Sequence, residues 1–287
     1  AFLPADFEYY SDMSEKSMNI IKKFADVFEY VGRDEAYLDV TEKVELDFTK
    51  ASHIAQQIKN EVREKTKLTC SVGISPNKLL SKIASGYKKP DGLTTVTPDN
   101  VSEFMETLNL GDIHGIGKKT QQKLAEENIE TISQAKSLDI FELINMFGRK
   151  SGTYIYNAIR GIDDEPVTIR APMLQLSKIS TLTEDSVDYA FLEKSLLVLC
   201  EKLHLSILKE NRMFRSVGIH LTQDDLSTKT RSRMLRNPTL SLDELKKVSR
   251  QLLKEALEDQ SALIRRLGVK VSELSDIEGQ SDITSYF

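Results

Sequence analysis

The sequence predicts an α+β protein of several domains, and three observations carry this prediction. The 287 residues are too many for one small core and fit two or three domains of roughly 100–200 residues each. Strand-like and helix-like segments alternate up to residue 97, and the pattern is then entirely helical up to residue 161. Mixed structure resumes at residue 175, after a proline-containing stretch without helical periodicity. We therefore expect a sheet with helices, an all-helical unit and a small α/β unit, in that order.

The composition excludes several classes of protein. It is 40% hydrophobic and 29% charged, as in an ordinary globular protein, and no apolar run is long enough to span a membrane. Cys70 and Cys200 are far apart and belong to no paired motif. This argues against a zinc site or a disulfide framework and favours a reducing, cytoplasmic location.

The net charge of −5 is not typical of a nucleic-acid-binding protein, but the charges are unevenly distributed. The first 50 residues are acidic, whereas the stretch Lys209–Arg236 is basic. Such asymmetry indicates modules with different electrostatic tasks.

Helical and alternating apolar periodicities locate the elements of the first module. They predict an amphipathic helix within residues 1–25, a hairpin over Asp26–Val40, helices over Thr49–Glu64 and Pro76–Tyr87, and strands over Leu68–Ile74 and Leu93–Val96. Beyond the helical region and a linker, the last module reads strand, helix, strand, strand, helix, strand. We expect a small sheet with two helices on one face, followed by a polar, acidic tail that is disordered until its last few residues.

The predicted hairpin contains two adjacent acids, Asp34 and Glu35, directly after Gly32 and Arg33. A regular strand would separate neighbouring side chains, but near a turn both can face one side. Two such carboxylates repel each other unless one is protonated or a cation lies between them, and a hard divalent ion is the usual solution. On this pattern alone a solvated acidic turn is the more common interpretation. The choice between such a turn and a metal site therefore depends on the other motifs.

A glycine-containing turn joins two helical stretches at Ile113–Gly117. Gly115 and Gly117 allow a tight turn, with Ile116 between them, and the N–H groups that begin the next helix form an anion site. Lys118 and Lys119 add positive charge. This helix–hairpin–helix pattern predicts binding to DNA phosphates, and the alternative is an ordinary helical hairpin.

Two further groups of basic residues are candidates for phosphate binding. Lys89 follows a lysine-rich helix and precedes the turn Pro90–Gly92, which would hold it at a domain edge. Arg231 and Arg233 alternate along a predicted strand, so they share a face and could follow a phosphate backbone. The alternative for both groups is a solvated basic surface.

The C-terminal peptide ends in an aliphatic residue and two aromatic residues. One helical turn would place Ile283, Tyr286 and Phe287 on one side, with Gln280 three residues before Ile283. Exposed aromatics at the end of a polar tail are typical of anchors for a pocket on a partner protein.

Together these motifs resemble a Y-family translesion DNA polymerase of the DNA polymerase IV type, in its archaeal form. Segments Asp34–Asp39, Ser71–Lys82 and Lys89–Gly92 resemble palm motifs, Ile113–Leu124 resembles the thumb, and Ile264–Val269 resembles the last strand of the little finger. The resemblance covers almost the whole chain. It implies the C-terminal part of a palm over residues 1–97, a thumb over 98–162, a linker over 163–174, a little finger over 175–271 and a tail with a sliding-clamp motif over 272–287.

The resemblance also implies roles for the candidate residues. Asp34 and Glu35 would bind two catalytic Mg²⁺ ions, with Glu35 beside the primer 3′ end, and Lys89 would hold the triphosphate of the incoming nucleotide. The partners would be primer–template DNA, a dNTP and a sliding clamp, which the peptide at Gln280, Ile283, Tyr286 and Phe287 would bind. The protein would act as a monomer, without a membrane.

Departures from the family pattern leave two alternatives open. The strand with a further metal-binding aspartate and the fingers domain, with which the family begins, have no counterpart here, so we expect a truncated and impaired form. Arg33 replaces a usually apolar residue, and the linker lacks a common basic pair. The alternatives are a non-catalytic DNA- and clamp-binding protein and a helix–hairpin–helix nuclease.

Overall fold

A computed structural model describes residues 4–169, 173–258 and 262–277. The chain divides into two compact units, Ala1–Ala171 and Pro172–Phe287, here called the first and second units. Across the described ranges, no helix is long and apolar enough to cross a bilayer.

The first unit begins with a mixed region and continues with helices, as the sequence predicts. The mixed region contains α1 (Phe7–Lys22), β1 (Val27–Gly32), β2 (Glu35–Asp39), α2 (Thr41–Val44), α3 (Phe48–Thr66), β3 (Val72–Ile74), α4 (Lys78–Tyr87) and β4 (Leu93–Thr95). The helical region contains α5 (Val101–Glu106), α6 (Lys118–Glu126), α7 (Ile132–Ser137), α8 (Ile140–Phe147) and α9 (Arg149–Ala158).

The strands of the first unit form two separate two-stranded sheets. Strands β1 and β2 form the predicted antiparallel hairpin, with Val27 opposite Asp39. Strands β3 and β4 pair in parallel. The prediction of a strand over Leu68–Ile74 was too long, because the Cys70 carbonyl accepts a hydrogen bond from Lys59 Nζ (2.8 Å) instead of from a neighbouring strand.

Two apolar clusters hold the first unit together. Ile20 of α1 packs with Ile58 and Val62 of α3, and Leu38 of the hairpin contacts this cluster. A larger cluster joins Leu80 of α4 to the helical region, where the fully buried members include Leu124, Leu143 and Ile159. Helix α4 therefore lies against both the hairpin region and the helical region.

The second unit is a four-stranded sheet covered by two helices. Its elements are β5 (Gln175–Ser186), α10 (Tyr189–Lys209), β6 (Arg212–Gln223), β7 (Thr228–Thr239), α11 (Leu242–Leu257) and β8 (Ile264–Asp276). The strand order is β5–β8–β6–β7, and all pairs are antiparallel. The helices and one sheet face enclose one apolar core, which confirms the predicted element order.

The last strand continues beyond residue 271, after which the tail was predicted to begin. Strand β8 continues to Asp276 because Leu274, Ser275 and Asp276 pair with the first residues of β6. Arg212 at the start of β6 also donates to Asp276 Oδ1 at 2.8 Å. Residues 272–276, predicted as part of the tail, therefore belong to the sheet.

Candidate active site

The two adjacent acids lie where the hairpin turns. Asp34 is in the turn itself, and Glu35 is the first residue of β2. Both line a cleft of about 720 Å³ in the first unit, and Lys82 of α4 and Lys89 of the following turn also line it. The fold thus brings the adjacent acids Asp34 and Glu35 to the same cleft as Lys89, which is far from them in sequence.

Glu35 has a direct cationic partner in the cleft. Lys82 Nζ donates a hydrogen bond to Glu35 Oε1. This bond holds the pKa of Glu35 below its ordinary value against the opposing effect of burial, and the positive charge of Lys89 acts in the same direction. Glu35 is therefore an ionised carboxylate at neutral pH, the form that a metal cation binds.

Two carboxylates of the cleft are candidates to hold a metal ion. Over the described ranges, no three His, Cys, Asp or Glu side chains come close enough together to hold a metal ion. Asp34 and Glu35 therefore contribute two carboxylates, which fits a hard divalent ion that keeps water or phosphate oxygens in its other positions. Asp39, at the far end of β2, instead accepts the N–H of Thr41 at 2.8 Å.

Lys89 is an exposed cation at the edge of this cleft. It follows α4 and is joined to Pro90 by a cis peptide bond. Within the described part of the chain its side chain makes no ion pair and no hydrogen bond, so its charge is available to an anion. Arg33, which precedes Asp34 in the hairpin turn, lies over the ring of Phe7 at 5.7 Å.

The helix–hairpin–helix turn depends on one of its two glycines for its shape. Gly115 has φ +88°, and a Cβ there would lie 2.6 Å from Tyr154 Cε1. The Tyr154 hydroxyl also donates to the His114 carbonyl. Only glycine fits this conformation and this contact without a shift of the neighbouring ring.

Gly117 leaves the start of helix α6 open. It is the N-cap residue, and nothing lies within 4 Å of a Cβ added to it. Lys118 and Lys119 follow and are exposed. The side chain of Ile116 is 2% exposed, and its N–H donates to the Ile113 carbonyl. Neither the side chain nor the N–H of Ile116 is therefore free to contact DNA. The buried side chain instead anchors the turn.

The two candidate arginines lie on the sheet face that carries the helices. Arg231 is opposite Ile219 and Arg233 is opposite Val217, and both partners are buried. They share a face, as predicted. However, Arg233 donates to Gln251 Oε1 (2.7 Å) and Glu255 Oε1 (2.6 Å) of α11, so a phosphate contact would compete with these bonds.

The opposite face of this sheet, here called the open face, has a different character. Its basic side chains are Arg266, which is opposite Thr181 and Thr222, and Lys270, which is opposite Ser177 and Gly218. The strand register gives its members as Gln175, Ser177, Ile179, Thr181, Ser216, Gly218, His220, Thr222, Thr228, Thr230, Ser232, Met234, Arg266, Gly268, Lys270 and Ser272. None of these residues is acidic. Their alternation with Leu267, Val269 and Val271 was the sequence signal that could have identified Arg266 and Lys270.

Known proteins share both the sequence and the fold. The model of the impB/mucB/samB family matches residues 1–86, that of its C-terminal domain matches residues 174–284, and that of the DNA polymerase-iota thumb domain matches residues 111–163. The DNA polymerase IV of Nitrosopumilus maritimus is 65% identical over 286 residues, which are 100% of this chain and 79% of that protein. The DNA polymerase IV of Methanosarcina acetivorans is 37% identical and covers 99% of this chain and 80% of its own.

Solved structures agree with this relationship. A Y-family DNA polymerase chimera covers 96% of this chain and 78% of its own, with 29% identity and a TM-score of 0.88. The chain belongs to the Y-family of DNA polymerases. A second member, described as an insertion ternary complex of Dbh DNA polymerase, is 29% identical with a TM-score of 0.65 and covers 96% of this chain and 79% of its own.

Membership of the Y-family confirms the predicted activity. The chain is a DNA-directed DNA polymerase of the translesion class, and Y-family polymerases use divalent metal ions. The relatives named DNA polymerase IV support this assignment over a non-catalytic DNA- and clamp-binding protein.

Proposed function

We propose that Asp34 and Glu35 are the metal-binding carboxylates with which this Y-family polymerase adds a dNTP to a primer 3′ end. The observation that carries the proposal is that both acids and Lys89 line one cleft. Two Mg²⁺ ions are proposed, which when bound would activate the 3′-hydroxyl and neutralise charge on the phosphates.

Two lysines, Lys82 and Lys89, line the cleft together with the acids. Lys82 keeps Glu35 ionised and oriented through their hydrogen bond. Lys89, exposed and without a side-chain partner within the described ranges, binds the triphosphate of the incoming nucleotide as a point charge. The two lysines thus have different roles, one toward the protein's own carboxylate and one toward the substrate.

Two surfaces are proposed to bind the phosphates of primer–template DNA. In the first unit, Gly115 shapes the turn, and the start of α6 offers the N–H groups near Gly117 with the charges of Lys118 and Lys119. In the second unit, Arg266 and Lys270 give the open face its positive charge. Arg231 and Arg233, at the edge strand β7, remain predicted phosphate contacts.

Binding to a sliding clamp is proposed for the C-terminal peptide. Gln280, Ile283, Tyr286 and Phe287 lie outside the described residues, so this proposal is supported by the sequence pattern. Deletion of residues 280–287 should abolish clamp binding and leave DNA binding intact. Unchanged affinity for the clamp would contradict the proposal.

The remaining proposals concern organisation. We propose a monomer whose functional domains are the palm (1–97), the thumb (98–162) and the little finger, with a linker (163–174) before the last of these. The little finger, predicted over 175–271, is extended to residue 276 because β8 ends there. Cytoplasmic location is proposed because Cys70 and Cys200 are free thiols, which suits a reducing compartment.

Primer extension by the full-length gene product tests the roles of the acids. Asp34→Asn and Glu35→Gln should each reduce the rate of Mg²⁺-dependent extension on damaged template by about 10³-fold, since metal binding to the transition state is worth several kcal/mol. Asp12→Asn, an exposed acid on α1, is the matched control and should extend normally. Normal extension by both active-site variants would refute the assignment, and shortening of the primer would indicate the nuclease.

A further inference from the structure

Lys59 of helix α3 is a charged residue in an unusual place, since it is only 8% exposed. Its ammonium group donates to the Cys70 carbonyl (2.8 Å), to the Asp91 carbonyl (2.8 Å) and to Asp91 Oδ1. An ammonium group has three N–H donors, so all of them are used. Such complete pairing is what allows a buried charge to be tolerated.

The acceptors of Lys59 belong to the backbone on which Lys89 is carried. Asp91 follows Lys89 by two residues, and Arg63, one turn further along α3, lies 3.6 Å from the other Asp91 carboxylate oxygen. The next residue, Gly92, donates to Ser71 Oγ at 3.1 Å and accepts from the N–H of Val72 at 3.0 Å. Helix α3 and the start of β3 therefore hold the turn from its C-terminal side.

The turn itself has a conformation that needs support. Asp91 has φ +51°, and a Cβ added to Gly92 would lie 2.4 Å from the Lys88 carbonyl oxygen. A non-glycine residue in this region is strained and persists only where its surroundings hold it. The bonds from Lys59 to both the carbonyl and the carboxylate of Asp91 supply that support.

We propose that Lys59 is a positioning residue for nucleotide binding, which fixes the turn so that the exposed Lys89 ammonium meets the phosphates of the incoming dNTP. This inference rests on the proposed role of Lys89. Lys89 has no side-chain partner within the described ranges, so the backbone of the turn, which sets the position of its Cα, limits the region that its charge can reach. A buried ion pair is a weak source of stability but can select one geometry, so nucleotide binding is the property that Lys59 should govern.

Single-nucleotide incorporation by the full-length gene product measures this effect. Lys59→Met should raise the KM for the dNTP about tenfold and change kcat less than about threefold, because binding is lost and not chemistry. Lys59→Arg, which keeps the charge and several donors, should restore KM to within about threefold of the parent value. The control is Lys65→Met, on the same helix. The exposed Lys65 side chain pairs with Glu61 one turn away, so its replacement should leave both constants unchanged.

Lys89→Ala tests the proposed role of Lys89 separately from the positioning role of Lys59. An unchanged KM in Lys89→Ala would refute the role of Lys89 itself. A raised KM in Lys89→Ala with an unchanged KM in Lys59→Met would overturn the positioning role alone. The double variant should match Lys89→Ala, since Lys59 acts through Lys89, and additive effects would contradict this.

A second variant covers the case in which Lys59→Met does not fold. Asp91→Asn weakens the side-chain contact and keeps the carbonyl acceptor, so it should raise KM in the same direction by a smaller factor. Thermal unfolding establishes that the variant is folded. A folded Asp91→Asn with the parent KM would also overturn the inference.

Discussion

The ammonium of Lys78 binds both carboxylate oxygens of Glu29, at 2.9 and 3.0 Å. The same carboxylate accepts the backbone N–H of Thr168 at 2.9 Å, and Lys78 also lies 3.4 Å from Glu165. Burial disfavours the charged ammonium, but the hydrogen bonds to Glu29 and Glu165 raise the pKa of Lys78 above its ordinary value. One buried cation thus ties helix α4, strand β1 and the segment after α9 together.

Removal of this cation should loosen the segment that follows α9. Lys78→Met leaves the partly buried Glu29 carboxylate without its cationic partner. We expect the free energy of unfolding, measured by urea denaturation, to fall by about 3 kcal/mol. Cleavage at Glu165 by a glutamate-specific protease should become faster than in the parent protein.

Lys50→Met is the matched control for Lys78→Met. It breaks the exposed Lys50–Glu45 pair, whose side chains are 51% and 77% accessible, and should cost about 0–1 kcal/mol. Equal stability and equal cleavage in Lys78→Met and the control would show that the buried pair does not hold the segment.

The two glycines of the helix–hairpin–helix turn should respond differently to alanine. Gly115→Ala forces a Cβ against Tyr154 at φ +88° and should lower the melting temperature and DNA affinity together. Gly117→Ala has free space and an ordinary φ of −79°, so it should keep the melting temperature. If α6 binds a phosphate, the added methyl group should still weaken DNA binding, which fluorescence anisotropy would measure.

Charge removal from the two sheet faces of the second unit should have different consequences. Arg266→Ala and Lys270→Ala should each reduce the slope of log K against log salt by about 1 for duplex DNA. Arg233→Ala should in addition lower stability, because it removes the bonds to Gln251 and Glu255. A larger change of slope in Arg233→Ala than in Lys270→Ala would assign DNA binding to the helix-covered face.

The contact between Lys59 and Asp91 should make stability depend on acid pH. The hydrogen bond from Lys59 lowers the pKa of Asp91 below its ordinary 3.8. The stabilisation is therefore complete above pH 3.8 and is lost as pH falls through the lower, folded value. The difference in melting temperature between the parent and Asp91→Asn should be constant above about pH 5 and shrink in more acidic buffer. A difference that does not change down to pH 2 would contradict this.

Local patterns predicted the elements, and contacts between distant residues explain what they missed. The Asp34–Glu35 turn and the Gly115–Gly117 turn are short-range signals, so the sequence located both. Lys78 and Glu29 are 49 residues apart, and Lys59 and Asp91 are 32 apart, so only the fold brings each pair together.

The sequence did not predict which face of the sheet carries Arg231 and Arg233. Alternation showed that Arg231 and Arg233 share a face. Which face that is depends on the pairing of β7 with β6, where Val217 and Ile219 lie opposite the arginines and are buried. Strand register between distant segments is a tertiary property, so the sequence pattern alone could not supply it.

Small residues lie beside Lys270 on the open face of the second unit, since Ser177 and Gly218 are opposite it. Gly218 lets the Lys270 side chain lie along the sheet, since a Cβ there would come within 2.9 Å of Lys270 Cε. The small side chains near Lys270 and Gly218, such as those of Ser177 and Ser232, are too short to reach into a DNA groove and hydrogen-bond to base edges. Contacts made there to the DNA backbone would be the same whether the newest base pairs were correct, mispaired or chemically altered. An error would therefore cause no release, and the enzyme could extend past it.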